Sequence, residues 1–272
     1  GNLTVGGTGK TPMTMALIDL LKDRKATCGV VSRGYKRGQK GVHEVDTSLK
    51  ASLLFGDEPA LIKANYPDVP VFVGEKRIAA ARALMAQTPV DFIICDDAFQ
   101  HRSMKRDWNI LLFDATENHK NYRVLPVGMG REPVGRALKR ADLLIITKAN
   151  LAGMEKAAEV KGWLQTKCDK PIVMADYEIT GFRSLDGKTS EQIKDKVYLV
   201  SAIAKPEALE KALAGRVQFV KHKIFKDHFK YTDLEIEAIL DETSQLQARW
   251  VLTTPKDAGK MKAFPRLRER LW

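Results

Sequence analysis

Thr4-Val5-Gly6-Gly7-Thr8-Gly9-Lys10-Thr11 has the order of a loop that wraps phosphate and runs into a helix. Three glycines in four positions free the backbone to turn N–H groups inward. Lys10 can reach the β- and γ-phosphates of a nucleotide, and the Thr11 hydroxyl is a ligand for Mg²⁺. The next residues, from Thr11 to Lys22, have helical spacing, so the phosphates would also face a helix N-terminus. The predicted nucleotide contacts are Thr4, Gly6, Gly7, Thr8, Gly9, Lys10 and Thr11. Thr4 stands where the general pattern has glycine. A glycine-rich turn before an ordinary helix is the bland alternative.

Outward from the loop, short apolar runs end in polar residues. Cys28–Ser32 leads into Arg33-Gly-Tyr-Lys36, Val90–Cys95 into Asp96-Asp97, Ile110–Phe113 into Asp114, and Leu143–Ile146 into Thr147-Lys148. A further strand is expected at Val69–Val73 and an amphipathic helix at Glu75–Gln87. Such strands, alternating with helices, predict a P-loop NTPase-like α/β fold: a mostly parallel sheet with helices on both faces and the ligand at the carboxyl ends of the strands. From Pro171 the pattern changes to a long β-prone run, Ile172–Phe182, and then a polar turn at Asp186-Gly187. Beyond it are expected a strand at Val197–Val200, a helix at Pro206–Ala214, a strand at Val217–Ile224, a helix at Thr232–Leu246 and a strand at Trp250–Thr253. The boundary is placed near residue 184, giving a nucleotide-binding domain over 1–184 and a smaller α/β domain over 185–272 that closes over the site.

The chain has 272 residues, enough for one large or two ordinary domains, with 44% hydrophobic and 29% charged residues, which excludes extended disorder. Its formal net charge of +11 favours an acidic partner without choosing among nucleotide, nucleic acid, anionic lipid and phosphorylated substrate. No apolar run approaches the ~18 residues that read as a bilayer span. Cys28, Cys95 and Cys168 lack the spacing of a zinc site or a disulfide framework, which suits a reducing cytoplasm. The chain opens inside the loop, without the strand that ordinarily feeds one, and ends at Pro265–Trp272 where an apolar strand would begin. A fragment is the expectation.

Four further groups of residues could carry chemistry. Asp96-Asp97, at the end of an apolar strand, would deliver carboxylates to Mg²⁺, or simply make a turn. Gly56-Asp57-Glu58-Pro59 opens a helix: its carboxylates could cap that helix, or one could accept the proton of an attacking hydroxyl. In Gly130-Arg131-Glu132-Pro133, Arg131 could stabilise phosphate charge and Glu132 could act at the metal or as a cap. His228 could orient a carboxylate or be an ordinary histidine, and Lys221, Lys223, Lys226 and Lys230 around it form a solvated basic face or an anion-attracting rim.

Taken in order, Gly1–Pro12, Ser32-Arg-Gly-Tyr35, Gly56-Asp-Glu-Pro59, Asp96-Asp-Ala-Phe-Gln-His101, Gly130-Arg-Glu-Pro133, Ile203-Ala-Lys-Pro206, Asp227-His228 and Thr254-Pro-Lys-Asp257 resemble the tetraacyldisaccharide 4′-kinase, or lipid A 4′-kinase, family over nearly the whole chain. Thr4 is that family's own form of the loop. The resemblance implies ATP and Mg²⁺ as cofactors and transfer of the γ-phosphate to the 4′-hydroxyl of an acylated glucosamine disaccharide 1-phosphate. It places that reaction at the cytoplasmic face of the Gram-negative inner membrane. Carried over by motif, Lys10 and Thr11 bind phosphate and metal, Asp96 and Asp97 serve the metal, and Arg131 and Glu132 support the cluster. Asp57 becomes the general base, paired with His228 when the two domains close, and Gln100, His101 and Arg33-Gly34-Tyr35 become site members without assigned roles. The family's N-terminal membrane helix and first strand are absent here. An anionic membrane surface is the expected further partner, with no nucleic acid, and the expected state is a monomer.

Two other classes compete. The loop is also similar to those of partitioning ATPases, but their extra lysine near its start has no counterpart here. Thr147-Lys148-Ala149-Asn150 is faintly similar to a guanine-reading string, with Asn150 in place of the carboxylate, so ATP is preferred. A basic nucleic-acid-binding module leaves both carboxylate-rich turns unexplained.

Overall fold

The computed structural model describes every residue except Val5, so that position of the phosphate loop lies outside the described residues. Helix α1 (Lys10–Asp23) is followed by β1 (Cys28–Ser32), β2 (His43–Glu44), α2 (Ala51–Phe55), α3 (Asp57–Asn65) and β3 (Val71–Val73). Next come α4 (Arg77–Gln87), β4 (Phe92–Cys95), β5 (Ile110–Asp114), α5 (Val134–Leu138), β6 (Leu143–Thr147), α6 (Ala149–Ala152), α7 (Met154–Gln165) and β7 (Ile172–Ala175). The rest comprises β8 (Phe182–Arg183), β9 (Thr189–Ser190), β10 (Ile193–Ser201), α8 (Pro206–Leu213), β11 (Val217–Ile224), α9 (Asp233–Gln245), β12 (Trp250–Thr253) and α10 (Pro255–Met261).

These elements form two compact units, Gly1–Arg33 with Lys76–Tyr177, and Gly34–Glu75 with Glu178–Trp272. A single cut near residue 184 does not reproduce that division, because residues 34–75 group with the C-terminal residues. Helices α2 and α3 pack on α10, and Lys262 donates to the Ser48 carbonyl at 3.2 Å.

In the first unit β1 pairs in parallel with β4, and β5, β6 and β7 form a parallel ladder in that order. Asn2 makes a parallel bridge to Leu112 in β5, so the phosphate loop is entered from an extended segment beside that strand. Leu3, Phe113, Leu144, Ile146 and Leu164 are buried together there, and Tyr122 stacks on Trp163 at the same core. The β-prone run from Ile172 does not continue to Phe182 as one strand. Its partner β6 ends at Thr147 opposite Ala175, and Asp176 and Tyr177 instead bond the Asn150 region: Asn150 N donates to Asp176 Oδ1 and Tyr177 N to Asn150 Oδ1, both at 3.0 Å.

The second unit holds the antiparallel pairs β2–β3 and β8–β9 and the parallel sheet β11-β10-β12. Alternate residues of a strand face opposite sides, and β10 buries both. Tyr198 and Val200 join one core with Ile236, Ile239 and Met261, whereas Val197 and Leu199 join another with Leu213 and Leu252. Helix α9 opens with a capping box between Thr232 and Glu235. At the C-terminus Leu271 bridges Val251 in parallel, the strand-like pairing expected of that segment. Among the described residues no helix is long and apolar enough to cross a membrane.

Candidate active site

The first constellation lies in the first unit, around the glycine loop. Gly9 caps α1 with φ +82° and Gly6 has φ +119°, backbone conformations that β-carbon-bearing residues resist. Gly6 and Gly7 are exposed, while the buried Thr8 hydroxyl oxygen has no hydrogen-bond partner among the described residues. An orphaned buried hydroxyl in a glycine loop fits a ligand rich in acceptor oxygens. Lys10 Nζ donates to Asn2 Oδ1 at 3.1 Å and lies 3.9 Å from Asp97 Oδ1. Thr11 sits half-buried in the first turn of α1.

The twin aspartates part company. Asp96 is buried and accepts from the Thr14 hydroxyl at 3.2 Å, which ties the strand end to α1. Asp97 has φ +44°, its carbonyl accepts from Arg77 at 3.0 Å, and its carboxylate lies 3.3 Å from Arg131 Nη1. Backbone held in that sparsely populated region is characteristic of residues whose direction matters. Gln100 links Asn2 to Glu132, donating to the Asn2 carbonyl at 2.9 Å and to Glu132 Oε1 at 3.3 Å. Burial pushes the Glu132 carboxyl up, yet the hydrogen bonds from Arg140 at 2.8 Å, Gln100 and Arg102 at 3.2 Å hold it below its ordinary value. Both Glu132 oxygens are therefore engaged by this basic cluster. Burial first, then the charge of Arg77, Arg106 and Arg33, holds the neighbouring His101 below the ordinary imidazole value.

Two residues that the sequence placed at a strand end and in a guanine-like string brace the loop. The Thr147 hydroxyl donates to the Thr8 carbonyl at 3.0 Å. Lys148, at φ +58°, sends its ammonium to the Gly7 carbonyl and to the wholly buried Asp114, each at 2.7 Å. Losing the ammonium from a buried ion pair is costly. Lys148→Met should therefore lower stability by about 3 kcal/mol, read in a urea titration, and weaken ATP binding about tenfold by calorimetry. An ATP affinity equal to the parent's would show that the brace does not shape the loop.

The second constellation lies wholly in the second unit. Gly34 and Gly56, at φ +68° and +98°, bring the Gly34-Tyr35 turn against the helix-opening Gly56–Pro59 turn. A β-carbon on Gly34 would stand 2.5 Å from the Phe55 carbonyl oxygen, and one on Gly56 would stand 3.0 Å from that of Tyr35. Asp57, first residue of α3, faces His228 with Oδ2 3.0 Å from Nδ1. The pair forms within one unit, so it needs no closure to assemble. His228 has φ +61° and meets the Tyr35 ring edge-on at 5.4 Å. Burial raises the Asp57 carboxyl, but the His228 hydrogen bond and the charges of Lys260 and Lys256 outweigh it and hold the group below the usual carboxylate range. Lys256 Nζ lies 3.1 Å from Asp227 Oδ1 and 3.7 Å from Glu58 Oε1.

Sequence reasoning missed the part played by α10 here. Thr254-Pro255-Lys256-Asp257 has the form of a helix start, with Pro at the first position and Thr254 Oγ1 accepting from Asp257 N at 3.2 Å. That signal was present in the string.

A glycine loop capping α1, a parallel strand ending in paired aspartates and an arginine–glutamate cluster beside them define a phosphate-loop nucleotide-binding protein. The profile of the tetraacyldisaccharide-1-P 4′-kinase family matches residues 1–272, and the chain belongs to that family. It is similar to the tetraacyldisaccharide 4′-kinases of Bdellovibrio bacteriovorus, 37% identical over 96% of this chain and 78% of the relative, and of Parabacteroides distasonis, 36% identical over 98% and 75%. The crystal structure of "apo" form LpxK from Aquifex aeolicus in complex with ATP aligns with all of this chain and 79% of its own, at TM-score 0.71 and 29% identity.

Proposed function

We propose that this chain transfers the γ-phosphate of ATP to the 4′-hydroxyl of a tetraacylated glucosamine disaccharide 1-phosphate, a step of lipid A biosynthesis. The observation that carries the reading is the Asp57–His228 pair, a carboxylate held ionised at 3.0 Å from an imidazole, in a chain that also bears the glycine loop. A switch-type hydrolase needs the loop but has no use for a second, preformed acid–base pair.

Lys10 and the backbone of Gly6–Gly9 bind the triphosphate, and Arg131 adds positive charge beside Asp97. Asp57 accepts the proton of the acceptor hydroxyl as its oxygen bonds to the γ-phosphorus and the bond to the β-phosphate oxygen breaks, releasing ADP. His228 orients Asp57. Hard oxygen donors suit Mg²⁺, and the oxygens of Thr11, Asp96 and Asp97 are of that kind. Bound there, the metal would neutralise charge on the phosphates. Glu132 supports this set through Arg102, Arg140 and Gln100.

The net charge of +11 supports attraction both to the substrate's phosphate and to anionic lipid. We place the protein as a monomer at the cytoplasmic face of the inner membrane, without a nucleic-acid partner. Incubation with γ-labelled ATP, Mg²⁺ and the acylated disaccharide 1-phosphate should put label into the lipid phase. Label appearing solely as inorganic phosphate would overturn the assignment.

A further inference from the structure

Asp57 is faced by charged groups from three elements of the second unit. His228 approaches from the loop before α9, Lys256 and Lys260 from α10, and Glu58 from α3 itself, where it lies 3.9 Å from His228 Nε2 and 3.7 Å from Lys256 Nζ. Asp227 pairs with Lys256, and the Tyr231 ring lies under the Lys260 ammonium at 5.7 Å. Among these groups Lys260 differs in what it connects. Its Nζ lies 2.9 Å from Asp257 Oδ1, 3.2 Å from the Phe229 carbonyl oxygen and 3.5 Å from Asp57 Oδ2. Two of the ammonium's three N–H donors serve Asp257 and the Phe229 carbonyl, and its charge lies within ion-pair range of Asp57.

The far end of the chain of contacts is buried and hydrogen-bonded. Asp257 is wholly buried, and its Oδ2 accepts from Ala202 N and from Thr254 Oγ1, each at 2.9 Å, which fixes it to the end of β10 and to the cap of α10. The near end divides in two. One branch holds Asp57; the other holds the carbonyl of Phe229, the residue after His228, whose own backbone sits at φ +61°. A non-glycine residue keeps such a conformation only where its surroundings over-determine it.

We infer that Lys260 is a positioning residue of phosphoryl transfer, tying the Asp57 carboxylate and the His228 loop to the buried Asp257 anchor and acting through both. The inference rests on the proposed role of Asp57 as base. Lys260 also supplies a fixed positive charge beside that base, so its removal has a signature that loss of packing lacks. With the cation gone, the carboxylate binds its proton more readily, and the acidic limb of the kcat/KM profile moves to higher pH.

The test compares Lys260→Met, Lys260→Gln, Lys260→Arg and Asp57→Asn in the full chain, with γ-labelled ATP and the disaccharide 1-phosphate across pH. Lys260→Met should lower kcat about a hundredfold at an unchanged KM for ATP and raise the acidic limb by about one pH unit. Lys260→Gln removes the charge through a side chain one bond shorter that still carries an N–H donor, so it should shift the limb equally even if Lys260→Met does not fold. Lys260→Arg should return the limb to its wild-type position. If Asp57→Asn is as active as wild type, the base assignment itself fails. If Asp57→Asn is inactive while the folded Lys260→Gln keeps the wild-type limb, the base assignment stands and the positioning role is overturned.

Discussion

Lys10→Met should reduce kcat about a thousandfold while the protein stays folded. Lys10 Nζ touches only polar groups of the site, donating to Asn2 Oδ1 at 3.1 Å with Asp97 Oδ1 at 3.9 Å. The unbranched methionine keeps the stem's packing and deletes the charge. In phosphoryl transfer the protein contributes little covalent chemistry, so rate comes from positioning and from charge placed where it develops. Loss of one preorganised donor costs on the order of 10²–10³ in kcat, and a full ammonium on the transferring group belongs at the upper end. A thousandfold corresponds to about 4 kcal/mol of transition-state stabilisation. Arg131 also lies beside Asp97, 3.3 Å from its Oδ1, and should leave a residual rate. The measurement is single-turnover transfer of label to the lipid at saturating ATP, beside the circular dichroism of the variant. A folded Lys10→Met enzyme within threefold of wild type would remove Lys10 from the phosphate site.

How much of this site the sequence carried depends on how far apart the contacts lie. The loop was legible because its geometry is local: Gly6 and Gly9 take positive φ next to Lys10 and Thr11, and α1 runs from Lys10 to Asp23 where the helical spacing predicted it. The place of Asp96-Asp97 was legible because the apolar run before them marks a strand, and β4 ends at Cys95. The Thr147–Thr8 and Lys148–Gly7 bonds span 139 and 141 residues, and nothing in Thr-Lys-x-Asn says which loop it supports. The same holds for α10, whose lysines read as ordinary members of a basic chain until Lys260 is found 3.5 Å from Asp57. The grouping of residues 34–75 with the C-terminal unit was invisible for a related reason. The change of pattern at Pro171 falls just before β7, the last strand of the first unit's ladder, and it does not reveal that residues 34–75 pack with the C-terminal residues through α2, α3 and α10. The run Ile172–Phe182 shows the converse: β-propensity states fitness for a ladder, and the ladder ended with its partner at Thr147.

Asp57→Asn should lower kcat by about three orders of magnitude with KM for ATP unchanged. The amide is nearly isosteric and its oxygen can still accept from His228 Nδ1, so the 3.0 Å contact survives while the group loses its affinity for a proton. A stability change would come instead from Lys260, which stands 3.5 Å away and loses its charge partner. That effect is confined to a partly buried pair and is distinguishable by thermal unfolding. The wild-type pH dependence has its origin in the same surroundings. Asp57 must be ionised to accept a proton, and although burial raises its carboxyl, the His228 hydrogen bond with Lys260 and Lys256 carries the net shift downward. Activity should therefore persist as pH falls through the ordinary carboxylate range and decline only below it. Replacing His228 by alanine removes the largest of the opposing influences, so its residual activity should fail at a higher pH than that of wild type. The sign is decisive: an acidic limb that stays in place in His228→Ala would mean that Asp57 is not the group whose ionisation limits the reaction. The size of the Asp57→Asn loss carries a separate message. A loose, dissociative transition state asks little of its base until late in the transfer, so a loss nearer tenfold than a thousandfold would assign Asp57 to holding the acceptor hydroxyl in line rather than to taking its proton.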